Sequence, residues 1–490
     1  MKVLFVTPEC YPLVKTGGLA DVAGALPLAL APLGVEARVL LPGYPGVREQ
    51  LTGVRKVAPL PKLFGGAGTL STGRTADGLN VLLLEAPHLY NRAGGGPYLD
   101  AAGNDWPDNH LRFGALSWVG AEIAMGRLGT WQPDLVHLHD WQAALTAAYL
   151  HFEQAPLGEQ TVPPTLLTIH NLAFQGVFGS DAFGALRLPR AALDPADSDS
   201  MEYWGGLSFL KAGVLWSTHL STVSPTYARE IRTQDQGMGF DGLLRARPDH
   251  LTGIANGIDV TVWNPAVDPA LTVAYSVRKL PAKATNKTAL QMELGLDVRG
   301  DAPLFCVVSR LTTQKGLDLL LDALPRLLGC GAQLAVLGSG ERGLEDDFRR
   351  CAEEHHESVS VTIGYDESLS HRLQAGSDAI IVPSRFEPCG LTQLYGLRYG
   401  TLPVVSRVGG LADTVIDANG AALHDGVATG FQFSPVDAEQ LAAAIERACD
   451  LYADAPAWKL VMKRAMTRDV SWASAAAAYV TLYQQLATEA

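Results

Sequence analysis

Ser384-Arg385-Phe386-Glu387-Pro388-Cys389-Gly390-Leu391-Thr392-Gln393-Leu394-Tyr395-Gly396-Leu397-Arg398-Tyr399-Gly400-Thr401-Leu402-Pro403 reads as a loop, a helix and the start of a strand. Asp378 to Pro383, just before it, reads as a short, fully buried strand, and Leu391 to Tyr399 as a helix with Leu391, Leu394, Tyr395 and Leu397 on one side. A strand, a tight loop with Pro388 and Gly390, and then a helix start leave free backbone N–H groups at the loop. Such a helix start suits an anion, above all phosphate. Glu387 beside that site needs a reason, because like charges repel. A hydroxyl-rich group attached to the phosphate supplies one, so the stretch points to a diphosphate joined to a sugar.

Working outward, short apolar strand signals recur at Lys2–Thr7, Ala37–Leu41, Val81–Leu84, Leu135–Leu138, Thr165–Ile169 and Leu220–Val223, with helical patterns such as Leu111–Leu128 and Trp141–Leu150 between them. Alternation of this kind predicts a mostly parallel sheet covered on both faces. The pattern resets around Phe240 to Pro265. A second series follows at Leu304–Val308, Gln333–Leu337, Val359–Ile363, Ala379–Val382 and Leu402–Val405. The chain of 490 residues is too long for one core. It is therefore read as α/β, with two doubly wound domains over residues 1–248 and 249–470 and the cleft between them as the default ligand site. Residues 471–490 read as an amphipathic terminal helix with Trp472, Ala476, Tyr479, Tyr483 and Leu486 on one stripe. The Gly94–Pro97 loop and Ala185–Tyr203 read as surface insertions.

The net charge of −13 argues against a nucleic-acid or anionic-membrane partner, so an anionic substrate must be held by local cations. Six scattered cysteines form no CxxC or zinc spacing and suit reduced thiols in a cytoplasmic protein. The N-terminus reads as a first strand instead of a signal peptide, and no run is long and apolar enough to span a membrane.

Lys15-Thr16-Gly17-Gly18 lies where the first strand's loop becomes a helix, so paired glycines let a ligand approach the backbone beside a cation. Arg310 and Lys315 follow the first strand of the second series, at the edge where ligands of such sheets bind, and would neutralise a diphosphate. Gly338-Ser339-Gly340-Glu341-Arg342-Gly343 has the spacing and context of a nucleotide loop, which supports a nucleotide without proving one. His139-Asp140 and His170-Asn171 end two strands and are candidates for sugar-hydroxyl contacts. Asp197-Ser198-Asp199 has the D-x-D form of a metal site but no strand before it, and Cys389 has no neighbouring His to make it a nucleophile.

K-T-G-G-L-A-D, S-R-L-T-T-Q-K-G-L-D and S-R-F-E-P-C-G-L-T-Q-L-Y-G closely resemble bacterial glycogen synthase and plant starch synthase. H-L-H-D-W, T-I-H-N-L-A-F-Q-G, N-G-I-D, V-W-N-P and a late V-S-W add to the match, in order, from Lys15 to Trp472. The resemblance implies a GT-B fold: two Rossmann-like domains facing across a deep cleft, with a C-terminal helix crossing back to the first. It implies retaining transfer of glucose from ADP-glucose to the non-reducing-end 4-OH of glycogen or another α-1,4-glucan, with no cofactor and no metal. Matched motif by motif, Lys15 and Gly18 would contact the donor diphosphate, and Arg310 and Lys315 would hold it with Leu391 and Thr392. Glu387, Cys389 and Gly390 would bind the donor glucose. Asp140, His170 and Asn256 would hold the transferred sugar, and Tyr365 would lie against adenine. The family often reads H-D-W-H, where this chain has Gln142; and more distant GT-B transferases carry a second glutamate where this chain has Tyr395.

No nucleophile suited to a covalent intermediate is evident, so front-side attack is the expected mechanism, with the departing diphosphate taking the acceptor's proton. Alternatives from the sequence are a transferase making a sucrose- or trehalose-type disaccharide, a non-catalytic glucan- or nucleotide-binding protein, and a phosphorylase with lysine-bound pyridoxal phosphate.

Overall fold

A computed structural model describes residues 1–154 and 162–489. The chain forms two compact units. One comprises residues 1–223, 228–256 and 472–490, the other 224–227 and 257–471. The change of unit thus falls at Asn256–Gly257, not at 248–249.

The strands of the first unit are β1 (Lys2–Val6), β2 (Glu36–Pro42), β3 (Thr52–Leu63), β4 (Gly66–Arg74), β5 (Asn80–Glu85), β6 (Leu135–His139), β7 (Thr165–Ile169), β8 (Val177–Gly179), β9 (Glu202–Tyr203), β10 (Gly206–Ser208), β11 (His219–Thr222) and β12 (Leu251–Gly253). Nine of them make one sheet in the order β12-β11-β7-β6-β1-β2-β5-β4-β3. It is parallel from β12 to β5, and β4 and β3 then add an antiparallel edge. That edge hairpin had no counterpart in the sequence reading. Much of β3 is exposed, and it carries Arg55, Lys56, Pro59, Pro61 and Lys62 instead of an apolar run, as a solvent-facing edge strand does.

The second unit contains β13 (Leu304–Val308), β14 (Gln333–Gly338), β15 (Val359–Ile363), β16 (Ala379–Val382), β17 (Leu402–Ser406) and β18 (Phe431–Phe433). All pair in parallel in the order β15-β14-β13-β16-β17-β18. This is the doubly wound order 3-2-1-4-5-6, which reverses between β13 and β16. Phe305 and Val307 enter one hydrophobic cluster and Leu304 and Cys306 another, so the pleat feeds a core on each face of the sheet.

The helix Trp472–Glu489 belongs to the first unit; Ala490, which closed the expected helix, lies outside the described residues. It packs on the helix Gly18–Leu30 and on β6. One polar link fixes it. Tyr483 Oη lies 2.8 Å from His137 Nδ1, whose Nε2 lies 2.6 Å from Thr168 Oγ1, and Thr168 meets Ser221 at 2.6 Å. All four residues are fully buried, so each polar atom depends on its neighbour. Tyr483→Phe leaves His137 Nδ1 unpartnered, and urea denaturation should register a loss of about 1–3 kcal/mol.

Candidate active site

In the second unit the site residues come from the strand ends flanking the point where strand order reverses. After β13 runs the loop with Arg310 and Lys315; after β16 runs the loop with Glu387. Lys315 Nζ donates to Glu387 Oε2 at 2.6 Å, and Ser384 Oγ donates to the same oxygen at 2.9 Å. Glu387 is 7 % exposed. Among the described residues no hydrogen bond reaches its Oε1. Arg310 is exposed and forms no ion pair among the described residues.

Close backbone packing sets this geometry. Gly316 has φ +69°, and a Cβ there would strike the carbonyl of Pro383; only glycine lets the Lys315 turn lie against the Glu387 loop. Gly409 (φ +41°) and Gly410 do the same from the other side, abutting the backbone of Glu387 and Cys389, with Gly410 N–H donating to Glu387 O at 3.1 Å. Arg385 pairs with Asp318 at 2.6 Å and ties the loop to the helix that follows Gly316. Gln393 Nε2 donates to the carbonyls of Cys389 and Gly390 at 3.1 and 2.9 Å. The helix itself starts at Thr392 with Leu391 as an uncapped lead-in, so its first amides lack a side-chain partner, as an anion site requires.

The Gly338-x-Gly340 pair has a packing task of its own. A Cβ at Gly338 would strike Ser309 O and one at Gly340 would strike Leu311 O, whereas Gly343 faces open space. Leu311 N–H donates to Ser339 O and Glu341 N–H to Leu311 O. The first two glycines therefore brace the backbone on either side of Arg310. Tyr365 follows β15, and its ring is 73 % exposed. Tyr395 stacks on Trp263 at 3.6 Å, and Trp263 stacks on His371 at 3.9 Å; its ring belongs to a packed aromatic tier.

The first unit repeats the logic where its order reverses between β1 and β6. Asp140 leaves β6 with φ +56°, a conformation Asp tolerates better than most residues and one that marks functional turns. Its Oδ1 accepts from the amides of His170 (2.7 Å) and Asn171 (3.4 Å). Burial, opposed by those two amides and aided by the charge of Glu9, pushes its carboxyl up to about 7. His170 Nε2 lies 2.9 Å from His139 Nδ1; burial pushes His170 down to about 3 and holds His139 and His137 well below the usual imidazole range. Asn256 Oδ1 is buried with no hydrogen-bond partner among the described residues, as a side chain awaiting a ligand donor would be.

Two residues escaped the sequence reading. Glu9 is 3 % exposed; its carboxylate accepts from the amides of Thr16 and Gly17 and from Tyr98 Oη. The start of the helix Gly18–Leu30 is thus already faced by an acid, and Lys15 Nζ pairs with Asp21 at 2.9 Å. Tyr98 directly follows the Gly94–Pro97 loop read as a surface insertion. Buried Arg112 holds that loop through Pro97 O at 2.8 Å, and Asn109 through Tyr98 O at 3.1 Å. The signal for this was an arginine, Arg112, in the first turn of a mostly apolar helix (Asn109–Ala124). Asp197 spends one oxygen on the amide of Asp199, and among the described residues no group of three or more His, Cys, Asp or Glu is gathered as for a metal ion.

Two doubly wound units with cationic, carboxylate and amide groups at both reversal points define a GT-B glycosyltransferase. Residues 2–246 match the starch synthase catalytic domain and residues 295–459 match glycosyl transferases group 1. The chain is 57 % identical to a glycogen synthase of Roseobacter denitrificans and 51 % identical to one of Mesorhizobium japonicum, each over 99 % of both chains. Among solved structures, the catalytic domain of starch synthase IV from Arabidopsis thaliana, bound to ADP and acarbose, superposes with a TM-score of 0.89 at 31 % identity over 99 % of both chains. A sucrose-phosphate synthase from Thermosynechococcus elongatus shares the fold at TM-score 0.59 and 17 % identity over 100 % of both chains. The chain belongs to the glycogen synthase and starch synthase family, and it is a glycosyltransferase of glycogen synthase type.

The buried histidines set an acid limit. Their folded-state pKa values lie below the ordinary 6.5, for His170 at about 3, so below about pH 6.5 the unfolded chain binds more protons than the folded one. Asp140, with its raised value, acts in the opposite sense between about pH 4 and 7. Three histidines outweigh one aspartate, so Tm should fall as pH drops from 7 to 5. A Tm that rises over that interval would contradict neutral burial.

Proposed function

We propose that this enzyme transfers glucose from ADP-glucose to the non-reducing-end 4-OH of glycogen or another α-1,4-glucan, retaining the α configuration and releasing ADP. The observation that carries the reading is the Lys315–Glu387 pair at the reversal point of the second sheet, on a chain about half identical to glycogen synthases along its full length. One ammonium hydrogen of Lys315 goes to Glu387, which leaves two for phosphate oxygens, while Glu387 Oε1 remains open to a sugar hydroxyl. Arg310, with no internal ion pair, adds the second positive charge. The amides at Leu391 and Thr392 add the helix terminus.

Glu387 with the Cys389–Gly390 backbone would hold the donor glucose, and Tyr365, exposed at the end of β15, would offer a face to adenine. From the first unit, Asp140, His170 and Asn256 would hold the transferred sugar, and Lys15 and Gly18 would reach the diphosphate, with Lys15 exchanging its Asp21 partner for phosphate. In the proposed step the acceptor O4 forms the new bond to C1 on the face from which the diphosphate departs. The C1–O bond breaks with its electron pair going to the diphosphate, and the O4 proton passes to a phosphate oxygen of that leaving group. The residues orient the reactants and stabilise the departing charge. Because side-chain cations carry that load, the reaction is proposed to need no metal. A cytosolic setting fits six cysteines that are all free thiols. No described helix is long and apolar enough to cross a membrane.

Labelled ADP-glucose and glycogen should give labelled polymer and ADP; label found only in small saccharides would overturn the reading in favour of a disaccharide synthase. Lys315→Ala should lose about 3 kcal/mol or more of transition-state stabilisation, a fall of roughly 150-fold or more in kcat/KM. Near-normal turnover would remove Lys315 from the leaving-group site. Circular dichroism must accompany the measurement, since the same change leaves the Glu387 carboxylate buried without its partner. Glu387→Ala should likewise lower turnover severely. EDTA should leave the rate unchanged, and a rate restored only by added divalent ion would refute metal independence.

A further inference from the structure

An open pocket of about 560 Å³ lies wholly within the first unit, lined by Glu202, Tyr203, Trp204, Lys211, Gly239 and Phe240. Trp204 is 87 % exposed and occupies a turn that disfavours it. Trp204 and Gly205 form the two-residue connection between β9 and β10, with φ of +51° and +85°. A hairpin turn with both central residues in the left-handed region normally takes Asn, Asp or Gly, and a bulky residue there is an outlier. Folding has thus placed a large apolar ring in water, in a strained backbone, where a small polar residue would serve the turn better. Such an outlier points to function.

The surroundings hold that ring's platform rigid. Glu202 Oε1 accepts from Gly205 N–H at 2.7 Å and Lys211 Nζ donates to Glu202 O at 2.7 Å. Tyr203 meets Trp204 edge-on at 6.3 Å and leans on buried Phe240 at 5.4 Å. Gly239, at φ +86°, leaves room for Tyr203 Oη, which would lie 2.8 Å from any Cβ there. The hairpin is also tied to the segment that follows His170: Phe209 N–H donates to Gly176 O at 3.0 Å, Ser208 Oγ to Gln175 O at 2.8 Å, and Gln175 Nε2 to Met238 O at 3.0 Å.

We infer that this pocket binds the α-glucan acceptor through glucose units beyond those at the reacting end, with Trp204 as the stacking platform. The inference rests on the glucan-transfer reading and deepens it. An exposed indole offers a flat apolar face to the C–H face of a pyranose. The carboxylate of Glu202, the ammonium of Lys211 and the phenol of Tyr203 supply hydroxyl partners around it. One acid and one base cancel in charge, which suits a neutral polyol better than a nucleotide.

Trp204→Asn tests this, because Asn suits the turn. The variant should fold with an equal or higher Tm, and its KM for glycogen should rise about tenfold, the upper end of what one aromatic contact is worth. Its kcat, its KM for ADP-glucose and its kinetics with maltotriose as acceptor should stay unchanged, and Trp204→Phe should recover most of the glycogen affinity. An unchanged KM for glycogen, or an equal loss with maltotriose, overturns the assignment. Affinity electrophoresis in glycogen-containing gels reads the pocket without turnover. Retardation of the parent chain that is weakened in Trp204→Asn supports the site even if no glucose is transferred, and equal mobility of the two refutes it.

Discussion

The contact between half-buried Lys315 and buried Glu387 is the constraint around which the site of the second unit is arranged. A carboxylate withdrawn from water is tolerated only when its cationic partner is held close and in good geometry. Here Gly316 allows one loop to lie on Pro383, while Gly409 and Gly410 allow another segment to lie on Glu387 and Cys389. The parallel sheet supplies the rest. Because its order reverses between β13 and β16, the loops after those strands diverge to opposite faces and open a crevice at their carboxyl ends. The pair sits at that crevice with hydrogen-bonding capacity left over on both partners.

The first unit reaches the same end by other means. Its polar groups are partnered internally: Lys15 pairs with Asp21, and the amides of Thr16 and Gly17 donate to Glu9. Its histidines are held neutral by burial, and Asp140 is held near its titration point. A site built this way carries little fixed field, which would suit the largely neutral sugar of the proposed reaction. The site of the second unit retains cationic capacity for phosphate.

Much of this was legible in the chain because parallel strands buried on both faces write continuous apolar runs, and because Asp140 stands directly after such a run and Lys315 and Glu387 in the loops that follow two others. The edge hairpin β3–β4 was not legible, since a half-exposed strand bearing Pro, Lys and Arg has no apolar run. Glu9 and Tyr98 were missed because their contact spans 89 residues and depends on Arg112 holding a loop that looks dispensable. Trp204 contradicts local propensity, so no turn pattern would have placed it in a hairpin. The glycine motif at Gly338 was legible as a motif; only the position of the Ser309 and Leu311 carbonyls reveals what the missing Cβ atoms make room for.

By itself the sequence determined the two-unit doubly wound architecture, the family, and the residues standing at the strand ends, because each follows from local periodicity and from motifs whose residues are close along the chain. Only the tertiary structure decided which amide or carboxylate faces which partner, which cations are already paired, and which aromatic ring is left in water. Those outcomes depend on distances between segments far apart in sequence, and no local pattern encodes them.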